Sequence, residues 1–288
     1  MYAGLLLSHT RFGIASDEPE DSKSDSSSDD SDTSSSGGSS TTSSKSSGTS
    51  ENEEGSDMED ETGDEGKPET WEVCCANDSR LTTAVLERGL PARRLTLSTG
   101  YDFSKTKHGR RGCREAKQAK PGRCWLSLPC TAWSSMQNAN INKPGHAEKL
   151  VRMRKESITM MGNCLPLALA VVENGGHFYY EWPTGCHGWQ VDELQDFFAK
   201  VRRLGRPVRK CIVHGCFYGL RSATRRGDFF LKKSWTIWTT DEAFAGVMNL
   251  SRCPGNHTHA IVQHEDTAAT AFYPPRMARH IAEIWASS

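Results

Sequence analysis

From Ser16 to Thr70 the chain carries 18 Asp and Glu against three Lys, long runs of Ser, and almost nothing apolar. Such a segment cannot bury enough apolar surface to offset the entropy of ordering its backbone, so it is expected to stay disordered. Residues 1–70 therefore read as a disordered acidic Ser-rich segment, and 71–288 as the part that builds a core. "SKSD" and "SSDD" within the acidic stretch suit a serine kinase that prefers acidic surroundings.

Setting that segment apart changes the meaning of the net charge of −1, because residues 71–288 hold 31 Lys and Arg against 18 Asp and Glu. An excess of this size points to an anionic partner, nucleic acid above all, with a well-solvated surface as the plainer reading. The acidic segment would then compete with polyanions for the basic domain. Ten cysteines, Cys74 to Cys253, are scattered among core-forming segments of a chain too long to need a disulfide framework, which predicts reduced thiols inside a cell. "MYAGLLLSHTRF" has too short an apolar run and no basic start for a secretory signal, and no stretch approaches a membrane span. The expectation is a soluble intracellular protein with no membrane partner.

"WEVCC" (71–75) predicts a strand, and "ANDSRLTTAVLERG" a helix capped by Asp78 or Ser79 with Gly89 as its stop. "RRLTLST" follows as a second strand. Residues 105–123 hold nine basic residues, His108 included, and one acid, and read as an exposed loop. "WLSLP" (125–129) predicts a short interior strand that delivers Cys130 to a polar loop. Residues 145–176 read as a long helix that Pro166 kinks or divides. "HFYYEW" is a further strand. "VDELQDFFAKVRRLG" is an amphipathic helix with Val191, Leu194, Phe197, Phe198, Val201 and Leu204 on one face. "KCIVHGC" gives another strand, "FFLKKSWTIWTT" a hairpin-like segment, and the stretch after Pro274-Pro275 a terminal helix. Strands that alternate with helices imply an α/β fold: an open, mainly parallel, Rossmann-like sheet with helices on both faces.

In such sheets ligands sit beyond the carboxyl ends of the strands. Three polar groups fall there: the turn after "WEVCC", Cys130, and Glu181. They are expected to converge on one cleft. A thiol in a basic loop can have its pKa lowered and act as a nucleophile, whereas Glu181, between aromatic residues and a proline, should be desolvated and hold its proton near neutrality. The plainer readings are a buried small hydrophobe and a structural salt bridge. A cysteine hydrolase would need a histidine base, and His177 and His187 lie near Glu181 in sequence without a recognisable nucleophile–base pattern.

"LPCTAWSS" resembles the Pro-Cys loop of the cytosine-5 DNA methyltransferases, "EWP" stands where that family has Glu-Asn-Val, and "WEVCCANDSRLTTAVLERG" resembles its opening strand, turn and helix. "GCFYGLRSATRRGDFFLKKSWTIWTT" is similar to the segment that follows, and the four motifs keep the family's order across 71–240. The resemblance implies a methyltransferase sheet, S-adenosylmethionine as cofactor, and DNA as partner. It makes Cys130 the nucleophile on carbon 6 of a flipped cytosine and Glu181 the acid that holds ring nitrogen 3. Asn77, Asp78, Ser79 and Pro129 would surround the cofactor, Asp102 would bind its ribose, and Arg221, Lys232 and Lys233 would face phosphate or the flipped base. The opening turn reads "CCANDS" where the family has a glycine-rich Phe-x-Gly-x-Gly, which marks a divergent or degenerate relative. The general pattern also resembles reading frames associated with mobile elements in protists, and a DNA partner implies a nuclear location. A non-catalytic nucleic-acid-binding accessory module of such an element, stabilised by zinc, remains the alternative.

Zinc enters through "CIVHGC" and "CPGNHTHA". A zinc ion needs four N or S ligands at tetrahedral positions, and Cys216 with Cys253, His257 and His259 supplies them most simply, with Cys211 and His264 in reserve. The plainer reading is a polar loop whose histidines face water.

Overall fold

The computed structural model describes residues 66–222, 229–262 and 265–288. The acidic segment with its serines, and His264, lie outside the described residues. The described residues include 66–70, just ahead of Trp71. The Arg123 amide donates to the Glu69 carbonyl (3.1 Å) and the Arg123 guanidinium to that of Pro68 (3.1 Å), so this stretch is bonded to the sheet edge.

Six strands form the main sheet: β1 (Thr70–Val73), β2 (Ala92–Leu95), β3 (Arg123–Leu126), β4 (His177–Pro183), β5 (Arg209–His214) and β7 (Ser234–Thr239). Their order is β2-β1-β3-β4-β7-β5. The first four run parallel, and β7 is antiparallel to both β4 and β5. "FFLKKSWTIWTT" is therefore no hairpin. Its second half is β7, inserted in the main sheet, and its first supplies β6 (Phe230–Leu231), which pairs in parallel with β8 (His259–Ala260).

Strand alternation sends side chains to two cores. Trp71, Val73, Cys124, Leu126, Phe178, Tyr180 and Trp182 face one layer, formed by α2 (Thr106–Ala119), α3 (His146–Glu173) and α4 (Asp192–Arg203). Trp125, Tyr179, Val213, Trp235 and Ile237 face the other, formed by α1 (Arg80–Glu87), α5 (Glu242–Met248) and α6 (Pro275–Ala286). Trp125 is fully buried there, stacked on Tyr179 (5.7 Å between centroids) and edge-on to Phe244, Tyr273 and Trp285. The α/β class, the mainly parallel sheet and helices on both faces agree with the sequence reading.

Three local expectations change. Residues 106–119 are a helix rather than a loop, because Gly109, Gly112 and Ala116 make a narrow buried stripe that lets α2 lie close on α3. A Cβ on Gly109 would stand 2.7 Å from the Asn163 Cβ. Helix α3 runs unbroken through Pro166 for 28 residues, and the carbonyl of Pro166 accepts a contact from the Cys113 thiol on α2 (3.6 Å). Leu204, expected on the buried face of α4, follows that helix's last residue and is 46% exposed. Among the described residues no helix is long and apolar enough to cross a membrane, and all ten cysteines are free thiols.

Candidate functional site

Strand β2 lies on one side of β1 and β3 on the other, so the strand order reverses between β1 and β3, where α/β sheets open a crevice at their carboxyl edge. Cys130 follows β3 at that edge, and Glu181 occupies the last turn of pleat in β4. Because β7 runs antiparallel, its start lies at the same edge and brings in Lys233. These three side chains come from three segments; Cys130 and Lys233 each feel the charge of the other two, and Glu181 feels that of Lys233.

Burial dominates their ionisation. Glu181 is buried, and desolvation pushes its carboxyl up to about 7, against the opposing pull of the Tyr273 hydrogen bond and the Lys233 charge and with a further push from Glu72. Burial also drives the Cys130 thiol up to about 11; Lys233 pulls it down and Glu181 pushes it up. The expected nucleophile is thus a neutral thiol at rest, contrary to the depressed pKa that a basic loop suggested, because enclosure outweighs the nearby cation. Lys233 is itself lowered by burial, and Cys130 and Glu181 oppose that shift. Its ammonium donates to the Thr270 carbonyl and lies 5.1 Å from the Trp235 ring. Its position is beside the thiol and carboxyl, whose charges oppose its own downward shift.

Two residues that sequence reasoning passed over complete this cluster. Tyr273 donates to Glu181 Oε2 (2.6 Å), receives the indole N–H of Trp125 (3.0 Å), and meets the Ser127 hydroxyl (3.0 Å). Glu72, in the middle of β1, is fully enclosed and raised above the usual carboxylate range by burial, despite bonds from Thr82 and Ser79. Ser79 Oγ lies 2.7 Å from both its oxygens, the Thr82 amide donates at 3.1 Å, and the Thr82 hydroxyl also donates. The signal for Glu72 was present in "WEVCC", an acid flanked by buried strand residues. Tyr273 gave none, since only the tertiary fold returns it to β4.

The proposed cofactor turn is differently occupied. Ser79 caps α1, its Oγ accepting from the Leu81 amide (3.2 Å) while also serving Glu72. Asn77 Oδ1 accepts from Ser98 Oγ (2.6 Å) and Thr96 Oγ1 (3.3 Å), which ties the turn to the end of β2. Asp102 Oδ1 holds the Ser104 amide (3.0 Å) and hydroxyl (2.6 Å) in a local turn ahead of α2. Asp78 is exposed, and Pro129 directly precedes Cys130. Cys74 takes a left-handed φ of +61°, a conformation that glycine adopts more cheaply. His177, at the start of β4 beside Thr240, is at the opposite edge of the sheet from Cys130, which removes it as a base for a hydrolase.

A second constellation occupies the same edge beyond β5. The ligand atoms of Cys216, Cys253, His257 and His259 all lie within 4.8 Å of one another. Cys211 is separate, buried in β5 with its thiol on the Ile237 carbonyl (3.6 Å). Beside the cluster is a cavity of about 350 Å³ lined by Arg221, Arg276, Phe217, Phe230, Cys216 and His257, among others. The Arg221 guanidinium lies 4.1 Å from the Phe230 ring, whereas Lys232 is exposed.

No family model matches the sequence, and no curated protein matches it. Among solved structures, the chain is similar to the crystal structure of the S. pombe Dnmt2 methyltransferase, with 9% identity and a TM-score of 0.37. The similarity covers 66% of this chain and 56% of that one, so the chain spans little more than half of that protein's length.

Proposed function

We propose that the chain is a divergent methyltransferase-like domain that binds DNA and presents Cys130 to carbon 6 of a cytosine, with Glu181 as the acid on ring nitrogen 3. The observation that carries this reading is the meeting of Cys130, Glu181 and Lys233 at the carboxyl edge, next to the strand-order reversal. A carboxyl poised at about 7 can give its proton to a ring nitrogen near neutrality. As it does so, Cys130, in the small fraction of chains in which its thiol has released its proton to water, forms a bond from sulfur to carbon 6, and the electrons of the 5,6 double bond move into the ring as nitrogen 3 takes the Glu181 proton. The basic excess of residues 71–288 supports a polyanionic substrate. A DNA partner implies a nuclear location, and the separate resemblance to reading frames of protist mobile elements implies a mobile-element setting.

S-adenosylmethionine is the methyl donor that the resemblance implies. As arranged, the turn does not fit it: Asn77, Ser79 and Asp102 are all engaged within the protein. That misfit favours a second reading, a nucleic-acid-binding accessory module that keeps the old cleft without methyl transfer. An oligonucleotide carrying 2-pyrimidinone, a base more electrophilic at carbon 6 than cytosine, tests the first reading without the donor. A covalent adduct seen by mass spectrometry and lost in Cys130→Ser supports it. No adduct, together with no heat on titration with S-adenosylmethionine, leaves the accessory reading.

A further inference from the structure

The loop that follows α5 folds around one sulfur. Cys253 donates its amide to His214 Nδ1 (2.9 Å), and Gly255, at a φ of +78° that suits glycine, turns its own N–H back onto the Cys253 sulfur (3.4 Å). The chain then delivers His257 and His259 to the same point. His257 is fixed on two sides: its ring packs on Phe230 at 4.2 Å between centroids, and its Nδ1 meets Asn256 Oδ1 at 3.1 Å. An Nδ1–H given to that amide oxygen leaves Nε2 with its lone pair directed at the Cys253 sulfur. Cys216 completes the group from the turn after β5.

The spacing of these atoms decides what they suit. Zinc bonds of about 2.3 Å to sulfur and about 2.05 Å to nitrogen, at a tetrahedral angle of about 109°, give S–N edges of about 3.6 Å and N–N edges of about 3.4 Å. The observed edges are 3.6 Å from Cys253 Sγ to His257 Nε2, 3.3 Å from Cys253 Sγ to His259 Nε2, and 3.0 Å between the two Nε2 atoms. Four converging N and S atoms, with oxygens absent, suit a borderline-soft ion rather than magnesium or calcium.

We propose that Cys216, Cys253, His257 and His259 bind one zinc ion in a closed tetrahedral S2N2 site with a structural role. Binding displaces the two thiol protons, so the ion and its two thiolates are neutral together. With four protein ligands no position is open for a substrate water. The ion joins three segments: the turn after β5, the Cys253–Gly255 turn, and the β6–β8 pair, each strand of which is only two residues long. The same turn after β5 supports the Cys130–Glu181 edge, because the Gly215 amide donates to the Lys233 carbonyl (2.7 Å). Cys216 and His257 also line the cavity that holds Arg221 and Arg276, so the metal fixes one wall of it.

The test uses the full chain, expressed with zinc supplied and analysed for metal. About one zinc per chain is expected. Exchange with cobalt(II) should give the intense visible bands of a tetrahedral ion and a sulfur-to-cobalt charge-transfer band. Cys253→Ser and His259→Asn should each lower zinc occupancy at fixed free zinc by at least about tenfold, whereas Cys113→Ser on α2 should leave it unchanged. The cobalt spectrum is read on the unaltered chain and so does not depend on the variants folding. A chain that takes up neither zinc nor cobalt, or a Cys253→Ser variant that keeps full stoichiometry, overturns the proposal.

Discussion

The Tyr273 hydroxyl donates a 2.6 Å hydrogen bond to Glu181 Oε2 across 92 residues of chain. Through that bond the segment just ahead of the last helix closes over the end of β4. Tyr273 is itself raised well above its ordinary pKa by burial, so it remains a donor throughout the accessible pH range. The carboxyl it holds is thereby oriented while still close to half-protonated at neutrality. A buried acid prepared in this way has consequences for stability and for reactivity.

Stability should fall as pH rises through the range that Glu181 spans. Between its ordinary value of 4.5 and about 7, the folded protein keeps a proton that the unfolded chain has released, so the folded state binds more protons and loses stability with increasing pH. The contribution is fully present below 4.5 and gone above about 7, a loss of roughly 3 kcal/mol at most. Glu72, also raised by burial, acts in the same direction. In Glu181→Gln the slope should flatten, and at about pH 8 the variant should equal or exceed the parent in urea unfolding. A steeper decline with pH in the variant would contradict the assignment.

Lys233 is the cation that draws the Cys130 thiol downward, so its removal should make that thiol less reactive. Alkylation of Cys130 by iodoacetamide, followed by site-resolved mass spectrometry, should rise about tenfold per pH unit below about 11. In Lys233→Met the rate at about pH 9 should drop several-fold, and Lys233→Arg should restore most of it. Faster alkylation in the methionine variant would mean that Lys233 shields the sulfur rather than charging its surroundings.

Much of this architecture was legible because strand and helix periods differ. "HFYYEW" is a short run of aromatic residues that suits an interior strand such as β4, and Leu194, Phe197, Phe198 and Val201 carry the buried face of α4 at helical spacing. The grouping of Cys216, Cys253, His257 and His259 was also visible, since "CPGNHTHA" holds three of them within seven residues and "CIVHGC" the fourth. Helix α2 was not, because its buried stripe is made of Gly109, Gly112 and Ala116, which carry almost no hydrophobic signal among the helix's five Lys and Arg. Small residues at a spacing of three and four were the available clue. The commitment of Asn77, Ser79 and Asp102 to internal bonds was hidden too, as their partners Ser98, Glu72 and Ser104 compete with any ligand only once the fold is known.

That stripe makes a sharp packing prediction. A methyl group on Gly109 would meet Asn163 at 2.7 Å from its Cβ and 2.9 Å from its backbone, so α2 and α3 would have to move apart. Alanine is otherwise the better helix former by about 1 kcal/mol. Overpacking should win, and Gly109→Ala should destabilise the domain by about 1–3 kcal/mol in urea unfolding. A stabilised variant would show that the helices are not in close contact at this point.

The flank of α2 next to that stripe gives the last test. Arg110, Arg114 and Lys117 recur at helical spacing beside a cavity of about 490 Å³ between α2 and α3, and none of them forms an ion pair among the described residues. Arg111, by contrast, is engaged by Glu115 at 2.7 Å. Unpaired cations on one face are available for phosphates, each of which releases condensed counterions when neutralised. If this face contacts a DNA backbone, replacing all three by alanine should weaken binding at low salt and reduce the slope of log K against log salt by about 3. The loss should be similar for unrelated sequences, because phosphate contacts carry no base information. Fluorescence anisotropy with two duplexes at several salt concentrations measures both quantities, and an unchanged slope would place the polyanion on another surface of the domain.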